Sequence, residues 1–183
     1  MVIATRRVNN EVVDVNAVEE ATGVQLWQLS KEDGDVSLQN DFVQRFDVTL
    51  TDSIHTNKPL GELSQTEYEE ELARFRRPHY HLTDEVRFIK EGSCYFDVRS
   101  NKEWFRLLLQ VGDVLCIPAR LVHSVDLGET KFVKASGYYK AVPGVDSSYV
   151  PRYESSVSKS VSGPVEQFNK LNSKNAQIGL KQV

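Results

Sequence analysis

The stretch Pro78-His79-Tyr80-His81-Leu82-Thr83-Asp84-Glu85-Val86 holds two of the chain's four histidines, one residue apart. An extended strand points residues i and i+2 to one face, so His79 and His81 project together. Glu85 shares their parity and joins them if the backbone stays extended or bulges once. Two imidazoles and a carboxylate on one side form a ligand set for a borderline divalent transition ion. A further donor, His123, closes Pro118-Ala119-Arg120-Leu121-Val122-His123, 38 residues after Glu85. That spacing is expected of a later strand in the same small barrel. The plain alternative is a hydrated strand face. By composition, His-x-His followed four residues later by Glu arises by chance in roughly one such chain in a hundred. The strand and turn grammar around the motif tips the reading towards metal.

Upstream, Ser64-Gln65-Thr66-Glu67 has the form of a capping box, and Tyr68, Leu72 and Phe75 then share one helical face. Glu67, Glu69, Glu70 and Glu71 form a solvated, dipole-compatible start to this helix. Pro78 ends it and passes the chain into an extended conformation. Earlier, Asn16 and Glu19 with Gly23 predict a short helix over 14–23, and Val24 to Leu29 alternates around Trp27 as a strand. Residues 31–62 are mixed and polar and give no clear element; His55 lies there in a polar loop and reads as surface.

Downstream the texture is β. Val86 to Ile89 and Tyr95 to Val98 flank Glu91-Gly92-Ser93, a hairpin signal, and Trp104 to Ile117 repeats it around Val111-Gly112-Asp113. Lys131 to Val142 supplies another strand. These features predict one mainly β domain with flanking helices, built on an antiparallel β-barrel or jelly roll. The barrel core is expected over about residues 75–142, after an α-rich N-terminal segment (1–74) and before a C-terminal extension (143–183). Within that extension, residues 155–163 are serine-rich and read as surface, and 164–171 as a last short helix.

With 183 residues, 40% hydrophobic and 26% charged, the chain has the composition of one globular domain. Its net charge of −4 argues against nucleic acid as a partner, which favours a basic patch. No apolar run approaches the ∼20 residues of a membrane span, and Met1 to Arg7 has no apolar core behind its charge to make it a secretory signal. Cys94 and Cys116 sit in apolar runs and are expected to be buried thiols, which points to a reducing compartment. Phosphate-loop, dinucleotide and nucleophile-elbow glycine motifs are absent from the sequence.

These residues resemble the cupin superfamily, and within it the acireductone dioxygenases. His79-x-His81-x-x-x-Glu85 leading to Glu91-Gly92 is similar to the first cupin motif; Gly112-Asp113-Val114-Leu115-Cys116-Ile117-Pro118-Ala119 leading to His123 is similar to the second. Asp84-Glu85-Val86-Arg87-Phe88-Ile89, Tyr95-Phe96-Asp97-Val98-Arg99 and Trp104 carry the dioxygenase-specific part, and the likeness spans about residues 22–135. It implies a cupin barrel in which His79, His81, Glu85 and His123 hold one Fe(II) or Ni(II) ion. It implies Arg87 as a substrate contact and Phe75 as a pocket aromatic. It further implies cleavage of an enediol, 1,2-dihydroxy-3-keto-5-methylthiopentene, by O2 in methionine salvage. Iron would give a 2-keto acid and formate, and nickel would release carbon monoxide. The expected protein is a monomer of the cytoplasm, with the nucleus as a second location.

The chemistry is coherent without the name. Three neutral imidazoles and one carboxylate leave a divalent ion a net charge of about +1, with two octahedral positions for a chelating enediolate. Arg87 has the parity to add a second positive charge, and Asp84 is a candidate general base or a hydrogen-bond partner of a ligand. Departures from the family pattern fall on the substrate side. Val125 stands where the family has an aromatic, Gly137 where its final barrel strand has an arginine, and Val145 where it has a tryptophan. The alternative they raise is a metal-binding cupin with an altered pocket that binds a ligand or partner without turnover.

Overall fold

The structure is a computed structural model and describes residues 2–29, 49–55, 64–101, 103–128, 132–139, 150–153 and 181–182. Two helices lie among them. Helix α1 (Val15–Thr22) is capped by Asp14, whose side chain accepts the Asn16 N–H, and is closed by Gly23 at φ 77°. The cap thus lies two residues before Asn16, since Asp14 already has the extended backbone an N-cap needs. Helix α2 (Gln65–Arg76) starts on the expected capping box, with Ser64 accepting from the Glu67 N–H and Glu67 reaching back to the Ser64 N–H.

The strands are β1 (Ile3–Arg6), β2 (Val12–Val13), β3 (Gln25–Gln28), β4 (Thr49–His55), β5 (His79–Tyr80), β6 (Glu85–Arg99), β7 (Trp104–Gln110), β8 (Asp113–Ile117), β9 (His123–Asp126), β10 (Val133–Tyr139), β11 (Arg152–Tyr153) and β12 (Lys181–Gln182). Their pairings are all antiparallel. Strand β6 belongs to both faces of the jelly roll. Its first half pairs with β8 and β10, and its second half with β7 and β9. Strands β3, β4 and β12 extend the first sheet. Strands β1, β2, β5 and β11 extend the second.

Two expected hairpins are therefore corrected. Glu91-Gly92-Ser93 is not a turn but the point where one 15-residue strand changes sheets. Gly92 sits at φ 72°, and Ser93 N–H donates to the Phe132 carbonyl. Likewise Gly112, at φ 91°, connects strands on opposite sheets, because β7 pairs with β1 and β6 while β8 pairs with β3 and the start of β6. A glycine at positive φ reverses or redirects a strand equally well, and only long-range pairing separates the two. The segment 1–74, expected to be α-rich, also supplies β1 to β4. The expected helix at 164–171 lies outside the described residues.

Between the sheets lies the main core, with Leu26, Ile89, Phe96, Leu107, Leu115 and Ile117 buried at its centre. A second cluster of Trp27, Val86, Val114, Cys116 and Tyr138 covers the other side of the first sheet. Cys94 and Cys116 are buried thiols, as expected, and burial pushes the Cys94 thiol up to about 12.

Candidate metal centre

The site forms where the sheets meet. Strand β5 pairs with β9 so that His79 lies opposite His123, and His123 in turn lies opposite Val98 in the second half of β6. After His81 the chain bends at Leu82 and Thr83 and enters the first sheet at Glu85. One sheet thus supplies His79 and His123, and the other Glu85. The His79 and His123 Nδ1 atoms lie 2.9 and 3.0 Å from the Arg77 and Leu121 carbonyls. A carbonyl only accepts, so Nδ1 carries the proton in both rings and Nε2 presents its lone pair.

The ring centroids of His79 and His123 are 4.4 Å apart, and that of His81 lies 5.4 and 5.5 Å from them. Among the described residues, one donor atom from each histidine falls within 4.8 Å of the other two. His81 and His123 are buried, and His79 is half-buried. Burial, and then the neighbouring His123, lower the His79 pKa to about 3, so at neutral pH the ring is uncharged and no proton on Nε2 has to be displaced.

Glu85 adjoins this group through Oε2, 3.0 Å from His123 Nε2 and 3.4 Å from His81 Nε2. Its Oε1 faces away from the histidines and takes the Arg87 Nε–H and, at 3.3 Å, the Tyr139 hydroxyl. Burial pushes the Glu85 carboxyl up; Arg87, then His123 and His81, outweigh that and hold it well below the ordinary carboxylate range. Three imidazoles and a carboxylate oxygen, converging in a buried pocket, fit a divalent transition ion.

Arg87 is buried on the inner face, as its parity predicts, and donates to Tyr139 Oη at 2.6 Å as well as to Glu85. Asp84 accepts the Ala119 N–H at 2.8 Å and so ties the loop before His123 to the loop before Glu85. Phe75 packs against the main core with Leu72, and its ring carries the Arg74 guanidinium 5.2 Å from its centroid. Nothing local in the sequence singles out Tyr139. Its position two residues after Gly137 gives it the inward parity, but only the β10–β6 register sets it opposite Glu85.

An antiparallel jelly roll with these histidines at the junction of its sheets is a cupin with a candidate transition-metal centre. A family model described as the ARD/ARD' family matches residues 7–145. The chain belongs to that family. A curated relative from Drosophila pseudoobscura pseudoobscura, an acireductone dioxygenase, is 30% identical over 139 residues, covering 73% of this chain and 70% of its own length. The Xenopus laevis acireductone dioxygenase is 46% identical over 77 residues, covering 42% of this chain and 43% of the relative; the chain thus aligns with under half the length of that protein. Among solved structures, acireductone dioxygenase from Bacillus anthracis, with cadmium in its active centre, superposes with a TM-score of 0.63 over 84% of this chain and 98% of that one, at 21% identity. At that identity the superposition speaks for the fold.

Proposed function

We propose that this chain is a metal-dependent dioxygenase that cleaves acireductone with O2 in methionine salvage. One Fe(II) or Ni(II) ion would be held by His79, His81, Glu85 and His123. The observation that carries the reading is the buried histidine cluster with Glu85 Oε2 turned towards it, in a chain of the ARD/ARD' family. When bound, the ion supplies a Lewis-acidic centre with open positions for a chelating enediolate.

The chain's own residues do the rest. Arg77 and Leu121 carbonyls fix the tautomers and planes of His79 and His123. Arg87 brings a permanent positive charge into the interior, which favours an anionic substrate over a neutral one. Phe75, near the end of α2 and packed against the main core, would be the pocket aromatic that the family resemblance implies. Asp84 would support the site by holding two ligand-bearing loops together through the Ala119 N–H, a role distinct from general base and from a hydrogen bond to a ligand. No described helix is long and apolar enough to cross a membrane. A monomer in the cytoplasm, with a share in the nucleus, is part of the proposal; the two buried thiols are consistent with a reducing compartment.

The test is oxygen uptake with synthetic acireductone, run separately on Fe- and Ni-loaded protein with product analysis. Uptake by at least one form is expected. No uptake by either, in protein shown to hold its metal, would shift the reading to a metal-binding cupin that acts through a ligand or partner. That second reading has its own support. Arg87 already serves Glu85 and Tyr139, and Val125 is buried at a position where the family resemblance implies an aromatic.

A further inference from the structure

Gly137 lies opposite Arg87 where β10 pairs with β6. Its backbone is not in the left-handed region that Gly23, Gly92, Gly112 and Gly128 occupy, so conformation does not demand glycine. Space does. A Cβ built on Gly137 would fall on the Arg87 guanidinium, 2.7 Å from Cζ and 3.4 Å from Nε. The guanidinium has little room to retreat, since Nε is bonded to Glu85 Oε1, Nη2 to Tyr139 Oη at 2.6 Å, and the whole residue is buried. Tyr139 completes a ring of three hydrogen bonds, because its hydroxyl also lies 3.3 Å from Glu85 Oε1. With Oε1 held twice, Oε2 is the oxygen left facing His81 and His123.

We propose that Gly137 and Tyr139 are positioning residues: Gly137 vacates the seat that the Arg87 guanidinium takes, Tyr139 latches it there, and Arg87 so held aims Glu85 Oε2 at His81 and His123. The inference rests on the proposed metal ligands but not on acireductone as substrate. It also gives the glycine in the last long strand a purpose. In this chain the interior cation comes from β6, and its counterpart position on β10 must be empty for it to fit.

The test is a double-mutant cycle read without substrate. Gly137→Ala and Tyr139→Phe are each made alone and in an Arg87→Ala background. Each protein is followed by thermal melting metal-free, by Ni2+ affinity, and by the visible spectrum of its Co2+ form. Gly137→Ala alone should lower the melting temperature and weaken Ni2+ binding about tenfold to a hundredfold, the range for residues that orient a ligand. In the Arg87→Ala background the same change should cost neither, because no guanidinium remains to displace. Tyr139→Phe should weaken Ni2+ and alter the Co2+ spectrum more while Arg87 is present than in the Arg87→Ala background, where only the direct Tyr139–Glu85 bond is left to lose. If Gly137→Ala does not fold, the Tyr139→Phe cycle decides alone. Wild-type Ni2+ affinity in both folded variants, or equal losses in both backgrounds, would overturn the inference. A wild-type protein that binds no Ni2+ would remove the metal reading beneath it. Failure to consume acireductone would touch only the proposed enzyme activity.

Discussion

Arg87 and Glu85 are a buried ion pair, and such pairs are weak evidence of stability but costly to break. Arg87→Ala leaves the Glu85 carboxylate without its strongest partner in a water-poor interior. The expected loss is about 3–5 kcal/mol of unfolding free energy in the metal-free protein, read by urea denaturation. For the proposed reaction, kcat/KM should fall roughly tenfold to a hundredfold, the worth of a charge-assisted contact of about 1.5–3 kcal/mol. Arg87→Lys should recover only part of either loss, because an ammonium cannot donate to Glu85 and Tyr139 from one planar fork. Wild-type stability and kinetics in Arg87→Ala would refute both roles. The inward face of Arg87 was legible from the two-residue spacing to Glu85. Its attachment to Tyr139 was not, since that contact spans 52 residues and depends on strand register.

Among the elements, β6 and the α2–β9 contact carry the arguments that local sequence leaves open. The Ser64 capping box and the Gly23 closure were readable because they are local: Ser64 and Glu67 are three residues apart, and Gly23 closes α1 on itself. The pivot at Gly92 was not, because a hairpin and a change of sheet present the same glycine. Any side chain there faces two penalties, positive φ and a clash with Phe132, whose Cδ1 is 2.9 Å from the built Cβ. Gly92→Ala should therefore cost about 1–3 kcal/mol or more, and a calorimetric melt within a degree of wild type would show that the pivot relaxes freely. The second element-scale prediction concerns Asp126 on β9, three residues after His123. It accepts from Gly128 N–H and Arg76 of α2, both at 3.1 Å, and from Arg106 of β7 at 3.4 Å. Burial pushes its carboxyl up, and these donors together hold it below its usual range. A depressed native pKa contributes stability that is present above the unfolded value and lost as pH falls through the native one. Metal-free Asp126→Asn should thus be less stable than wild type at pH 7 by about 1 kcal/mol. The gap should close below the ordinary aspartate range, and a gap that persists there would mean that packing, not charge, is lost.

At the scale of the molecule, the proposed ligands join two sheets. His79 and His123 belong to one and Glu85 to the other, with His81 on the crossing between them. An ion held by all four therefore binds the folded chain and not a single element of it, and its binding free energy adds to folding. At an ion concentration a hundred times the dissociation constant this amounts to about 2.7 kcal/mol. For a chain of 183 residues, each 1 kcal/mol moves the midpoint by roughly 2–4 °C, so loading should raise it by roughly 5–11 °C. Chelator should reverse the rise, and the shift should scale with the logarithm of free Ni2+ or Fe2+. His81→Ala removes a buried donor from the crossing segment, so its metal-free melt falls somewhat while its metal-dependent rise disappears. The difference between loaded and chelated melts, not either melt alone, is the decisive quantity. If His81→Ala keeps the full rise, the ion is bound elsewhere and the histidine cluster is a packing feature of the sheet junction.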